Sequence, residues 1–193
     1  GAIQGLVDSC IRNIWQAREI KEGLPVFQVG PTCYRGLWIV DGAFLLEAAT
    51  LLGAGKEARS GVAYTLLQQK PSGAFEVLSP WYYKENGIVL WTCVRHALLT
   101  QDKAWLESVW PALEKAADWI RELRKRTLAN DSPLDDGLIP AGEIDGGLSG
   151  AATGFKRPEY TNVYWSLHGL KALVEACRWL GKEDRAAFWK AEY

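Results

Sequence analysis

Along the chain, apolar residues recur mostly with the 3.6-residue period of a helix. Ile3, Leu6, Val7, Cys10, Ile11, Ile14 and Trp15 form one stripe, opposite Asp8, Arg12, Gln16 and Glu19. Residues 37–52 are apolar on every side, interrupted chiefly by Asp41, Glu47 and Thr50, the pattern of a helix enclosed by protein. Residues 56–69 are mixed, with Val62, Leu66 and Leu67 predicted to face inward, and 87–99 are again almost wholly apolar. From Asp102 to Thr127 the pattern is strongly amphipathic, with Trp105, Val109, Leu113, Ala116, Ile120 and Leu123 on one side. Pro111 predicts a break there, opening a second helix at its first position. Residues 162–180 predict a further helix with a polar stripe of His168, Lys171, Glu175 and Arg178, and 183–193 begin another. No convincing β alternation stands out, so the pattern predicts an all-α chain of alternately enclosed and half-exposed helices.

The helix ends repeat. Leu51-Leu52-Gly53 leads to Gly55-Lys56-Glu57-Ala58, Leu98-Leu99-Thr100 to Asp102-Lys103-Ala104-Trp105, and Trp179-Leu180-Gly181 to Lys182-Glu183-Asp184-Arg185. Each is an apolar helix, a very short turn and the charged start of another helix, which makes a repeated helical hairpin. Connections after the enclosed helices (53–55, 100–102, 181–182) are short, whereas those before them (22–36, 70–86, 128–160) are long. In a ring of antiparallel hairpins every long connection falls at one end, and long loops in a compact domain usually carry function. A site is expected at that end.

Composition narrows the function classes. The 193 residues, 48% hydrophobic and 23% charged, read as globular rather than disordered. With 22 basic and 23 acidic residues the net charge is −1, which favours no nucleic-acid partner. No apolar run approaches the roughly 18–20 residues of a membrane span, and no signal segment stands out, so localisation stays open. Cys10, Cys33, Cys93 and Cys177 lack metal or redox spacing and are expected as buried free thiols. There is no Met at all, which fits a chain cut at both ends, and ten of the aromatic residues are Trp.

The long loops carry carboxylates and aromatics. Tyr34-Arg35-Gly36-Leu37-Trp38-Ile39-Val40-Asp41 leads into the first enclosed helix, where Asp41 serves equally as a first-turn carboxylate favoured by the helix dipole. The second loop holds Phe75, Trp81, Tyr82, Tyr83 and Glu85, either stapling the loop down or offering aromatic faces on which the C–H faces of sugar rings stack. The third, Asp135-Asp136-Gly137-Leu138-Ile139-Pro140-Ala141-Gly142-Glu143-Ile144-Asp145-Gly146-Gly147, sets carboxyls among apolar residues, where desolvation suits a general acid. Solvated turn carboxylates are the plain alternative, and the spacing does not match an EF-hand calcium loop. His96 and His168 lack partners at metal-ligand spacing, and no phosphate loop, nucleophile elbow or dinucleotide fingerprint is present, so neither metal nor cofactor is expected.

These features together resemble the (α/α)6 six-hairpin glycosidases, of which the glucoamylases are one branch. The resemblance rests on the alternating helices, Trp38-Ile39-Val40-Asp41, Asp136-Gly137-Leu138-Ile139-Pro140 with Glu143 following, and Tyr160-Thr161-Asn162-Val163-Tyr164-Trp165. It implies an all-α domain of antiparallel hairpins forming about half of the toroid over 1–193, ending after the sixth helix with a seventh begun. The C-terminal half of the barrel would then be a missing partner, and this segment alone is expected to be poorly stable or to associate. It further implies an inverting glycoside hydrolase with Glu143 as general acid, Asp145 and Glu159 as rivals, and a base from a late loop. Trp38 and Asp41 match the family's sugar-binding pattern, but Val40 stands where an Arg is expected, so Arg35 would have to fold back to replace it. Trp81, Tyr82, Glu159, Asn162 and Trp165 complete the expected carbohydrate contacts. A sugar epimerase, lyase or phosphorylase on the same toroid, or a non-catalytic helical sugar-binding module, are the alternatives.

Overall fold

The computed structural model describes residues 1–128, 137–143 and 156–193. Among them run α1 (Ala2–Gln16), β1 (Arg18–Lys21), β2 (Leu24–Phe27), α2 (Ile39–Leu51), α3 (Gly55–Leu67), α4 (Lys84–Thr100), α5 (Lys103–Leu128), α6 (Tyr160–Trp179) and α7 (Glu183–Glu192). The chain is mostly helical, as its apolar period requires. None of these helices is long and apolar enough to cross a membrane.

The three short turns close in the same way. Ala54 N–H donates to Ala49 O at 2.9 Å, Asp102 N–H to Ala97 O at 3.0 Å, and Lys182 N–H to Cys177 O at 2.8 Å. Each bond spans five residues over a left-handed residue, Gly53, Gln101 or Gly181, as in a Schellman cap. The hairpins α2–α3, α4–α5 and α6–α7 follow directly. Helices α2, α4 and α6 pack side by side and parallel, while α3, α5 and α7 run back behind them. The backbones of α4 and α6 touch: a Cβ on Gly87 would lie 2.0 Å from Trp165 O, and one on Gly169 would lie 2.4 Å from Gly87 O. Leu90, Leu106, Leu113, Ile120, Leu123, Leu173 and Trp189 fill the space between the layers.

Several expectations are corrected. An antiparallel hairpin, Arg18↔Phe27 to Lys21↔Leu24, lies where no strand stood out. Its turn has positive φ at Glu22 and Gly23, the geometry that fits hairpin twist, and each strand is too short for alternation to rise above the helical background. Pro111 lies inside an unbroken α5. It sits on the exposed side, where the carbonyl it leaves unpaired is open to solvent. Helix α1 buries none of its residues, leaving Ile3, Leu6 and Val7 exposed, and only Ile14 and Trp15 of its stripe pack on the core. Helix α2 is not enclosed on all sides, since Phe44 is 53% exposed. All four cysteines are free, but Cys10 and Cys33 are exposed rather than buried.

Candidate functional site

The long-loop end gathers the N-termini of α2, α4 and α6, and the start of α4 anchors the aromatic loop before it. Asn86 Oδ1 accepts from Phe75 N–H at 2.9 Å, and its Nδ2 donates to Gly73 O at 2.9 Å and Ala116 O at 3.0 Å. Glu85 accepts from Val77 N–H at 2.8 Å and Leu78 N–H at 3.3 Å. Its burial pushes the carboxyl up to about 8, against the lowering effect of those two bonds. Gly73 has φ +91°, and a Cβ there would lie 2.2 Å from Lys115 O, so only glycine fits where the loop crosses α5. The loop thus reaches Trp81 and Tyr82 in a fixed path.

The third loop docks on that path. Glu143 N–H donates to Trp81 O at 3.0 Å, while Gly142 and Arg157 exchange two backbone bonds of 3.0 Å. A Cβ on Gly142 would lie 2.4 Å from Trp81 O, 2.9 Å from Asn162 Nδ2 and 3.0 Å from the Tyr83 ring. This glycine therefore sits at the meeting point of three segments. Glu143 is 1% exposed and its Oε2 has no hydrogen-bond partner, and the same holds for Nδ2 of Asn162, also 1% exposed. An unmatched acceptor and an unmatched donor flank one corner of the backbone.

Helix α6 begins on the other side of this corner. Glu159 is its N-cap, its Oε1 accepting from Thr161 N–H at 3.1 Å and Thr161 Oγ1 at 2.9 Å. Asn162 Oδ1 accepts from Lys84 N–H at 3.1 Å, and Lys84 Nζ donates to Thr161 Oγ1 at 2.5 Å. The same ammonium stands 4.4 Å above the Tyr82 ring, and Lys156 stands 4.0 Å above Trp81. Burial lowers Lys84 to about 8, with Glu159 and Glu85 acting the other way.

Trp81, Tyr82, Glu143, Glu159 and Asn162 are thus brought together. Tyr82 is buried, so Trp81 is the half-exposed ring of the pair. Trp165 lies one turn into α6 in a separate aromatic group, with ring centroids 6.0 Å from Phe44, 5.8 Å from Trp91 and 5.7 Å from His168. Trp38 is the N-cap of α2 and Asp41 is exposed in its first turn. Arg35 donates to Glu19 Oε1 and to Pro31 O, both at 2.5 Å, which ties it to the β-hairpin. Asp145 lies outside the described residues, as do Asp135 and Asp136. Among the described residues no group of three or more His, Cys, Asp and Glu could hold a metal ion.

Sequence reasoning missed Lys84 as a site residue, and it placed Glu85 in the second loop rather than in the first turn of α4. Charged residues in a first helical turn read as solvated, and only two loops closing over them bury both. No family model matches this chain, and no curated protein or solved structure matches it.

Proposed function

We propose that this chain is part of an inverting O-glycoside hydrolase of the (α/α)6 kind, acting on an oligosaccharide or glycoconjugate with Glu143 as general acid. The observation that carries the reading is the Glu143 carboxyl: held by its own backbone against Trp81, enclosed, and with Oε2 committed to no donor. A general acid must present an oxygen free to face the leaving group, and Oε2 meets that need. Trp81 supplies an aromatic wall beside it, and Asn162 Nδ2 is a donor without a partner for a sugar hydroxyl.

In this mechanism Glu143 gives its proton to the glycosidic oxygen as the C–O bond breaks. A second carboxylate takes a proton from water attacking the anomeric carbon from the opposite face, the two carboxyls being roughly 6.5–9.5 Å apart. That base belongs to a later hairpin of a closed ring. Three hairpins with parallel inner helices support the toroid reading, as does the flank of Tyr164 and Leu167 left exposed along α6. Such a flank is what a neighbouring hairpin would cover.

The test is Glu143→Gln in the full protein, assayed on a panel of aryl glycosides and oligosaccharides. Turnover is expected to fall roughly 10²–10⁴-fold with the thermal midpoint retained. Near wild-type turnover on every active substrate would remove Glu143 from the acid role.

A further inference from the structure

The most unusual group at this end is Lys84, whose side chain is fully enclosed. An enclosed ammonium is costly unless it is paired and hydrogen-bonded. Packing alone gives no reason for the charge. Its connections do. The backbone N–H of Lys84 holds Asn162, its Nζ holds Thr161, and Thr161 in turn holds Glu159. Its ammonium caps the Tyr82 ring, next to Trp81, whose carbonyl carries Glu143. One residue touches both loops' anchor points.

We propose that Lys84 is a positioning residue of this site: its ammonium, seated between the Tyr82 ring and the Thr161 hydroxyl, locks the start of α6 to the start of α4. That lock fixes Asn162, Glu159 and the Gly142–Glu143 corner relative to Trp81. Among the described residues, the charged groups that act on the ammonium are Glu159 from α6 and Glu85 from α4. With Lys84 brought down to about 8, the lock weakens as pH rises through that value, because a neutral amine loses its hold on the ring and its charge-assisted bond to Thr161.

The activity readout rests on the glycosidase reading, so two measurements are paired. On an aryl glycoside that the wild type hydrolyses, Lys84→Met is expected to keep its thermal midpoint and lose about 100-fold in kcat/KM, mainly in kcat, as misplacement of an acid does. Beyond the alkaline fall that any carboxyl general acid imposes as it loses its proton, wild-type activity should show a further decline through about pH 8, and Lys84→Arg should regain part of the rate lost in Lys84→Met and remove that further decline, since a guanidinium stays charged. Lys84→Met with unchanged kcat and pH profile overturns the proposal. So does a Lys84→Met protein that fails to fold, if Lys84→Arg has full activity and the unaltered alkaline decline. If the wild type hydrolyses no glycoside, the glycosidase reading fails by itself, and amide hydrogen exchange decides on Lys84. Exchange at Glu143, Thr161 and Asn162 should then quicken roughly tenfold in Lys84→Met relative to amides in α5. Unchanged protection at all three overturns the proposal.

Discussion

At the short-turn end, His96 is enclosed with both ring nitrogens partnered, whereas at the long-loop end Glu143 and Asn162 are as deeply enclosed and each leaves an atom unpartnered. Arg59 Nε donates to His96 Nε2 at 3.3 Å, which leaves Nδ1 carrying the proton toward Thr50 Oγ1, 3.2 Å away. Thr50 already donates to Leu46 O at 2.7 Å, and Arg59 continues to Asp102 at 2.8 Å. Trp105 closes the group edge-on, 5.0 Å from the imidazole. This network ties α2, α3, α4 and α5 together beside the short turns and leaves no polar side-chain atom without a match. A buried atom left unpaired costs about 1–3 kcal/mol, a cost that Gln28 Oε1 and Trp189 Nε1 carry as well. The two ends therefore divide: the short-turn end matches the enclosed polar atoms of its network, and the long-loop end leaves Glu143 Oε2 and Asn162 Nδ2 unmatched, as the proposed chemistry needs.

The hardest blow to that division would come from His96→Ala. The substitution empties an enclosed ring site and strands Arg59 Nε and Thr50, so stability is expected to fall by about 3 kcal/mol. The urea midpoint reads this directly. A loss below about 0.5 kcal/mol, the size of an ordinary surface change, would mean that the short-turn network is not structural.

Acidity separates the two ends by sign. His96 lies near 4 rather than its usual 6.5, first through burial and then through Arg59, with Asp102 opposing. Its contribution is therefore complete above about pH 6.5 and lost as pH falls through about 4, a change on the order of 2–3 kcal/mol. Glu85, raised to about 8, behaves in the opposite way: its contribution is complete below about pH 4.5 and lost as pH rises through about 8. Between about pH 4.5 and 6.5 the two contributions oppose each other, so over that stretch the urea midpoint should fall with rising pH in His96→Gln and rise in Glu85→Gln. If His96→Gln keeps the wild-type profile, the imidazole is not a source of it.

How much of this was legible in the sequence differs between the ends for a physical reason. The hairpins were readable because three turns share one cap, and the cap needs a short connection and a left-handed residue, a role Gln101 fills where Gly53 and Gly181 stand elsewhere. Trp81 and Glu143 were readable as residue types in long loops before enclosed helices, whereas Glu159 and Asn162 entered only through the family resemblance. The enclosure of Lys84 and Glu85 was not, because it depends on the 70–83 loop folding over the first turn of α4. The His96 network was equally hidden: Arg59 lies 37 residues before His96 in the sequence, and nothing in local periodicity couples it to His96 or Asp102. The exposed stripe of α1 failed for the converse reason, since amphipathicity specifies a face to cover without specifying what covers it.

The smallest expected change is also the one whose sign matters most. Glu143→Leu removes an enclosed acceptor that has no partner and fills the same space with apolar carbon, so the protein should be as stable as the wild type or gain up to about 1 kcal/mol. The backbone bond from residue 143 to Trp81 O is kept, because it does not involve the side chain. A gain in the urea midpoint with lost turnover is the signature of a carboxyl retained for its chemistry at the expense of the fold. A loss as large as that of His96→Ala would place Glu143 in the same class as the short-turn network and erase the contrast between the two ends.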